Sequence, residues 1–227
     1  DITTDDLTFV ASDGHKLVRV TTTETRGEGR SSFILPKKPA NLLKSLLPKE
    51  SGTVEIKFDE NNAYIAMSSY KMVCRFVEGR YPNYNSVIPQ NNPNTFVLDR
   101  LTLLNALKRV AVFSNPASNL VKIQLSEDKI VITAQDIDFL TTAEETIPCT
   151  YEGNVMNIGF KASFLIDILD NIPSSDVRIE LSDPSRAGLI LPVEKEENED
   201  MLTLLMPMML NDRGDAYHPG KGRQVRI

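Results

Sequence analysis

The stretch NIGFKASFLIDILDNIPSSDVRIELSDPSRAGLIL, residues 157–191, decides how the rest of the chain is organised. After a short strand-like run, residues 161 to about 171 place apolar side chains at the helical period, which predicts a helix with one apolar stripe. The stripe consists of Phe164, Leu165, Ile168, Leu169 and Ile172. Beyond Pro173, apolar and polar residues alternate, as in strands with one covered face. The stretch therefore predicts a strand, a helix and two further strands.

The same order of elements occurs in two earlier stretches. FILPKKPANLLKSLL begins at Phe33 and is followed by the strand-like runs TVEIKF and AYIAMSS. TFVLDRLTLLNALKRVAVF begins at Thr95 and is followed by VKIQLS and KIVITAQ. Repeated units of strand, helix, strand and strand predict an α+β fold with helices on one face of antiparallel sheets. A chance recurrence of common elements is the alternative interpretation.

Composition and charge limit the class of protein. The 227 residues, 41% hydrophobic and 25% charged, are ordinary for a soluble globular chain of one large domain or two smaller ones. No apolar run approaches the roughly 20 residues that span a bilayer. The net charge of −6 argues against adhesion to nucleic acid over the whole surface but allows a local basic face. We expect the isolated Cys74 and Cys149 to be buried thiols in a reducing compartment.

Turn and linker signals divide the chain into segments. Alternating apolar residues on both sides of Asp13-Gly14 predict a β-hairpin near the start. By the logic of the repeat, a strand and a helix should precede this hairpin, and their absence predicts an N-terminal truncation. Asp99 is expected to cap the first helix of the later domain. The predicted segments are a truncated domain (1–80), a Pro- and Asn-rich linker (81–94), a second domain (95–210) and a disordered tail or vector-derived segment (211–227).

Residues that carry catalysis are sparse in this sequence. Ser12, Asp13 and His15 lie on one tight turn, where a hydroxyl, a carboxylate and an imidazole cannot line up for nucleophilic catalysis. His218 is far away in the sequence, and two separated cysteines make no zinc-binding spacing. Neither a phosphate-binding loop nor a dinucleotide fingerprint occurs. We therefore expect no enzyme activity, no metal and no cofactor.

The outer faces of two predicted helices carry basic and amide side chains. These candidate DNA-facing residues are Lys37, Lys38 and Lys44 on the first helix, and Asn105, Lys108 and Arg109 on the second. The expected buried side of the first helix consists of Leu42, Leu43, Leu46 and Leu47. Basic side chains contact phosphates without reading base sequence. A solvated helix face is the alternative, and Asp167 and Asp170 on the third helix count against DNA contact.

The run MLTLLMPMML, residues 201–210, is apolar where ordinary surface text would be polar. Methionine-rich surface adapts to varied peptides, so the run suggests a peptide-binding site. Leu17 after the turn, and Pro82 and Val87 on the linker, are further apolar candidates. Ordinary packing of core and linker is the alternative interpretation.

Four stretches, in the right order and at suitable separations, together resemble one family, the bacterial sliding clamps, or beta subunits of DNA polymerase III. They are ASDGHKL (11–17), GRYPNYNSVIP (79–89), IGFKASFLIDIL (158–169) and LLMPMML (204–210). The resemblance covers about residues 7–210. Each stretch alone is weak, and the combination is specific.

The resemblance implies a DNA-clamp fold and a function. Clamps of this family are rings of two subunits with three similar domains each, and their helices line a channel around duplex DNA. On this interpretation the chain supplies most of the second domain and the whole third domain. The full-length protein would form the homodimeric ring, whereas the fragment is expected to be monomeric. The implied function is processivity without catalysis; a peptide-binding adaptor of the same fold that does not encircle DNA is the alternative.

The resemblance also implies partners and a location. Family clamps bind duplex DNA independently of its sequence. They receive short peptide motifs of replicative and other DNA polymerases, the clamp loader and repair proteins in a cleft between the second and third domains. The implied location is the bacterial cytoplasm, on the nucleoid, with no membrane association.

The resemblance places the cleft and the subunit interface on particular residues. The cleft set is Ser12, Gly14, His15, Lys16, Leu17, Pro82, Ser86, Val87, Phe164, Ser185, Ala187, Met206, Pro207, Met208, Met209 and Leu210. Val112 and Phe113 match the subunit interface. Met209 and Ser86 stand where the family often has arginine, and Phe164 replaces a tyrosine. These departures predict a shift in peptide preference toward apolar contacts.

Overall fold

The computed structural model describes residues 1–210 and the backbone of residues 223–226. The chain divides into two compact units, which are considered separately. The first unit comprises Asp1–Leu7 and Arg26–Tyr84, and the second comprises Thr8–Thr25 and Asn85–Ile227.

Short helices and strands alternate along the described residues. The α-helices are α1 (Lys37–Leu46), α2 (Arg100–Ala111) and α3 (Ala162–Asn171), and two 3-10 helices cover Leu47–Lys49 and Tyr84–Val87. The strands are β1 (Leu7–Ser12), β2 (Lys16–Thr22), β3 (Glu55–Phe58), β4 (Asn62–Ala66), β5 (Lys71–Arg75), β6 (Asn94–Asp99), β7 (Leu120–Ser126), β8 (Lys129–Asp136), β9 (Thr141–Pro148), β10 (Tyr151–Glu152), β11 (Met156–Lys161), β12 (Asp176–Leu181), β13 (Gly188–Pro192), β14 (Glu199–Leu205) and β15 (Arg223–Arg226). None of the helices in the described part of the chain is long and apolar enough to span a membrane.

The first unit packs α1 against a small antiparallel sheet of order β3-β4-β5. Leu43 and Leu46 contact the buried residues of this sheet. Leu42 and Leu47, predicted on the buried side, are instead 45% and 41% exposed. At about 100° per residue they lie on the flanks of the stripe, and a ten-residue helix over three strands covers only its centre.

The strand predicted before α1 is absent from the structure. Residues 33–35 are extended but make no ladder; Ile34 accepts one backbone hydrogen bond from Val77, at 3.0 Å. The Phe33 ring stacks on Phe76, with centroids 4.3 Å apart. Side-chain packing therefore places this segment without strand pairing.

The second unit contains two sheets that enclose α2 and α3. One has seven strands in the order β1-β2-β14-β13-β12-β6-β10, and the other has the order β11-β7-β8-β9-β15. The hairpin joins this unit because β2 pairs with β14 along its whole length, from Lys16 opposite Leu205 to Thr22 opposite Glu199. The structure therefore groups Thr8–Thr25 with the later residues, whereas the sequence prediction placed them with residues 1–80.

The core of the second unit confirms the predicted periodicities. Leu103, Leu107 and Val110 of α2 are fully buried, and Leu165 and Leu169 of α3 are at most 1% exposed. The predicted cap of α2 is confirmed, since Asp99 accepts a hydrogen bond from the Thr102 backbone N–H at 2.7 Å. Each repeat in this unit has one strand more than predicted, because β9 and β14 extend the sheets. The α+β architecture with helices on antiparallel sheets is confirmed.

The segment after residue 210 is described only in part. Arg223–Arg226 forms a strand that pairs in parallel with β9, which differs at these four residues from the predicted disordered tail. An open sheet edge offers unpaired backbone groups, and this explains how a polar segment can add to it. The remainder of the predicted tail, residues 211–222 and 227, lies outside the described residues.

Both cysteines are free thiols. Cys74 is buried as predicted, whereas Cys149 is only half-buried. Partial burial, with the nearby Asp128 carboxylate, raises the pKa of the Cys149 thiol.

Candidate functional site

The hairpin turn between β1 and β2 is held by its own side chains. One carboxylate oxygen of Asp13 accepts hydrogen bonds from the backbone N–H groups of His15 and Lys16, both at 2.9 Å. Slight burial works to raise the pKa of Asp13, but these donors outweigh it and lower the pKa below its ordinary value. Gly14 has φ +87° with open space where a Cβ would be, so a larger residue there would strain only the backbone. The predicted Asp13-Gly14 hairpin is confirmed.

The turn residues do not form a catalytic relay. The Ser12 hydroxyl donates to the Lys16 carbonyl oxygen at 3.0 Å and accepts from the Gly14 N–H at 3.1 Å. The His15 ring lies against Phe164, with ring centroids 5.6 Å apart. Within residues 1–210, no group of three or more metal-ligating side chains is close enough to hold an ion. These side chains therefore build the turn and its contact with α3.

The hairpin is joined to the methionine-rich run by backbone pairing. Leu17, 5% exposed, lies opposite Leu204 in the β2–β14 ladder. Just past the ladder, the Met206 N–H donates to the His15 carbonyl oxygen at 2.8 Å. Met206 itself is 43% exposed. The structure thus brings the predicted hairpin residues next to the start of the predicted methionine set.

The end of the methionine-rich run, residues 206–210, is fastened to β11. The Met208 N–H donates to the Gly159 carbonyl oxygen at 2.8 Å. A Cβ at position 159 would lie 2.7 Å from the Met208 carbonyl oxygen and 2.8 Å from Leu210 Cδ2, so only glycine allows this approach. Met209 projects outward and is 74% exposed. The run is therefore a fixed, partly apolar surface.

Phe164 on α3 links the hairpin to two cations. Its ring centroid lies 5.1 Å from Lys16 Nζ and 4.8 Å from Lys161 Nζ, within cation–π range. Lys16 also pairs with Asp167 on the next turn of α3. Sequence reasoning missed Lys161 and Asp167 as part of this site. The spacing of three between Phe164 and Asp167, which puts both on one helix face, was the available signal for the second.

The other predicted cleft residues are more dispersed. Ala187 is 8% exposed and precedes Gly188, which lies opposite Leu205 in the sheet. Ser185 is exposed and its hydroxyl donates to Asp183. Val87 is 56% exposed in the second unit, as is Ser86 nearby. Pro82 is exposed and belongs to the first unit.

The predicted DNA-facing residues fall into two groups that differ in pairing. Lys37, Lys38 and Lys44 on α1 are exposed and form no ion pair within the described chain. On α2, Lys108 pairs with Asp170 at 3.1 Å. Arg109 makes a two-pronged contact with Glu145, in which Nε lies 3.1 Å from Oε2. Asn105 is exposed, as predicted for an outer face.

The residues predicted at a subunit interface lie at the end of α2. Val112 is 78% exposed, whereas Phe113 is half-buried and packs against the core of the second unit. An exposed valine beside an anchored phenylalanine presents apolar surface to solvent.

Family models match nearly the whole described chain. Residues 1–83 match the central domain of the DNA polymerase III beta subunit, and residues 85–209 match its C-terminal domain. The boundary between the two matches, near residue 84, coincides with the boundary between the units at Tyr84. The DNA-clamp fold expected from the sequence is also found among solved structures.

Relatives and solved structures agree with the family models. A curated beta sliding clamp from Pseudomonas aeruginosa is 31% identical over 205 residues, covering 90% of this chain and 55% of the relative. The crystal structure of the Pseudomonas aeruginosa clamp bound to griselimycin has a TM-score of 0.86 at 29% identity, over 92% of this chain and 56% of that one. A Bartonella birtlesii clamp bound to griselimycin gives 0.84 at 28% identity, over 90% and 55%. The chain spans about half the length of the curated relatives it matches.

Proposed function

The chain belongs to the DNA polymerase III beta subunit family, the sliding clamps, and we propose that the full-length protein is a ring-shaped processivity factor. Two subunits would encircle duplex DNA and tether the replicative polymerase, with no catalysis of their own. The first unit would be part of the second clamp domain, and residues 95–210 the third. The isolated chain would be monomeric in sedimentation. Its place would be the bacterial cytoplasm, on the nucleoid.

DNA contact is proposed to centre on α1. Lys37, Lys38 and Lys44 carry charges that no carboxylate of the described chain neutralises. Free ammonium groups release counterions from phosphates, giving sequence-independent and salt-sensitive contacts. Lys108 and Arg109 already have carboxylate partners, so they would contribute less. Such weak contacts suit a ring that must slide.

Peptide docking is proposed for the surface built by the hairpin and residues 206–210. The observation that carries this proposal is the joining of Leu17 and His15 to Met206, which leaves Met206 and Met209 43% and 74% exposed on a fixed backbone. Flexible thioethers adapt to varied apolar anchors. Short apolar motifs of polymerases, the clamp loader and repair proteins are the proposed ligands. The griselimycin-bound relatives support a ligand site in this family.

Residues that depart from the family pattern would set the preference. Phe164 has no hydroxyl to offer a peptide, and its ring already faces the ammonium groups of Lys16 and Lys161. Met209 offers an apolar contact without charge. These residues would favour peptides with apolar anchors. Val112 and Phe113 are proposed for the contact between subunits of the ring.

A labelled peptide carrying leucine and phenylalanine anchors tests the docking proposal. Fluorescence anisotropy should show saturable binding to this chain. Met206→Ala should weaken it about ten-fold or more, since central anchors carry most of the binding energy. Val155→Ala, at a 74% exposed position elsewhere in the second unit, is the matched control and should leave binding unchanged. An equal loss in both variants, or no saturable binding, would contradict the proposal.

A further inference from the structure

A cavity of about 430 Å³ lies in the second unit between the hairpin, β14 and α3. Its apolar lining includes Val18, Ile168 and Met201. The volume falls in the range of pockets that hold small organic molecules. Its position is set by α3, which packs across the face of the sheet that carries Met201.

Thr203 gives this cavity a polar group without a partner. It lines the cavity, is 4% exposed, and its hydroxyl has no hydrogen-bond partner among the described residues. A buried hydroxyl left unsatisfied is destabilising, and such groups are rare in folded proteins. The hydroxyl is therefore available to a ligand that enters the cavity.

The surroundings of Thr203 explain why the protein itself does not satisfy the hydroxyl. Val18 lies directly opposite Thr203 in the β2–β14 ladder, and Met201 lies two residues away on the same face of β14. Both neighbours are apolar. A water molecule needs two or more polar partners to be held stably, and these neighbours offer none.

The polar residues at the rim of the cavity are engaged with each other. Lys16 and Asp167 form an ion pair, and the Asn171 amide donates to the Asp167 carbonyl oxygen at 2.8 Å. Asp13 accepts the hydrogen bonds of the turn. The rim thus leaves no uncompensated charge for an ionic ligand. It favours a neutral molecule.

We infer that this cavity binds a small neutral molecule that joins an aliphatic or aromatic group to one hydroxyl or amide. The apolar group packs against Val18, Ile168 and Met201, and the polar group pairs with the Thr203 hydroxyl. A thioether favours an aromatic ring at this contact. The ligand class follows from one buried hydrogen-bonding group in an otherwise apolar lining.

This site is separate from the proposed peptide surface. Thr203 and Met201 point to the opposite face of β14 from Leu202 and Leu204, because successive side chains on a strand alternate. The cavity shares Ser12, Lys16 and Leu17 with the predicted cleft, but Ile168, Met201 and Thr203 are not part of it. Failure of peptide docking would therefore leave this inference standing, and the reverse also holds.

Benzyl alcohol and toluene are matched probes, because they differ by the group that Thr203 would recognise. Both are titrated into this chain carrying ¹³C-labelled isoleucine and methionine methyl groups, and the signals of Ile168 and Met201 are followed. Thr203→Val keeps the branched shape and removes the hydroxyl. Thr203→Ser keeps the hydroxyl and controls for disturbed packing.

Benzyl alcohol should shift both methyl signals saturably in the wild-type chain. Thr203→Val should weaken benzyl alcohol about five-fold, as expected for one hydrogen bond, and leave toluene unchanged. Thr203→Ser should preserve the preference for the alcohol. The inference is overturned if neither probe gives saturable shifts, or if Thr203→Val weakens both probes equally.

Discussion

The two helices that carry the basic residues, α1 and α2, look alike in sequence and differ in the folded chain. Each has an apolar stripe and basic residues on the opposite face. Yet α1 buries none of its ten residues, whereas α2 buries five of twelve. The lysines of α1 have no ion-pair partner in the described chain, while Lys108 and Arg109 of α2 both have one.

The difference teaches that helical periodicity fixes a face but does not fix what covers it. Two sheets and α3 surround α2, and α1 lies on a single three-stranded sheet. The carboxylates that pair with α2 are 62 and 36 residues away along the chain. The depth of burial and the state of the charges are therefore set by tertiary structure.

The largest expected difference between the helices is in core stability. Leu107→Ala in α2 should lower the free energy of unfolding of the second unit by about 3 kcal/mol, because this fully buried side chain leaves a cavity. Leu43→Ala in α1 should cost only about 1 kcal/mol, since that side chain is half-buried. Denaturant unfolding curves measure both. Equal losses would show that α1 is packed as tightly as α2.

The next difference is in DNA contact. Replacing Lys37, Lys38 and Lys44 together with alanine should lower the slope of log affinity against log salt by about 2.7, or about 0.9 for each phosphate contact. Replacing Lys108 and Arg109 together should lower it by less than about 1. Titration of a labelled duplex at several salt concentrations gives the slopes. A larger loss from the α2 pair would reverse the assignment of the DNA-facing helix.

The smallest difference concerns the helix starts. Asp99 caps α2, whereas α1 begins after Pro36, which has no side-chain cap. Asp99→Ala should cost about 1 kcal/mol at neutral pH, and Asp99→Asn, which still caps, should cost little. Chemical denaturation at pH 7 measures both variants.

The same cap has a predicted pH dependence. Hydrogen bonds from the Thr102 hydroxyl and backbone N–H lower the pKa of Asp99. The stability it provides is complete above the unfolded pKa of about 3.9 and is lost as the pH falls through the lower folded value. Asp99→Asn should therefore flatten the loss of stability of the second unit below about pH 4. An unchanged acid limb would show that the carboxylate is not the titrating cap.

Local features could be predicted from the sequence. The Asp13-Gly14 turn, the Asp99 cap and the stripes of α2 and α3 depend on neighbours within a few residues, and the structure confirms them. The pairing of β2 with β14 could not be predicted, because no local pattern specifies a partner about 180 residues away. The same holds for the contact of Lys16 with Asp167.

The candidate site divides in the same way. The turn and the residues 206–210 were recognisable from composition and from family resemblance. The engagement of Lys161 with Phe164, and the unpaired hydroxyl of Thr203, follow from how α3 crosses the sheet. Threonine in an alternating strand carries no mark in the sequence that its hydroxyl will lack a partner.

Loading of the full-length protein onto DNA tests the central claim most directly. The labelled protein is loaded with its clamp loader onto nicked circular DNA, and the fraction that stays bound is measured by gel filtration before and after the circle is cut once. The account predicts retention on the circle and loss from the linear form, because a ring slides off free ends. Equal retention or equal loss on both forms would contradict a ring and favour an adaptor that never encircles DNA.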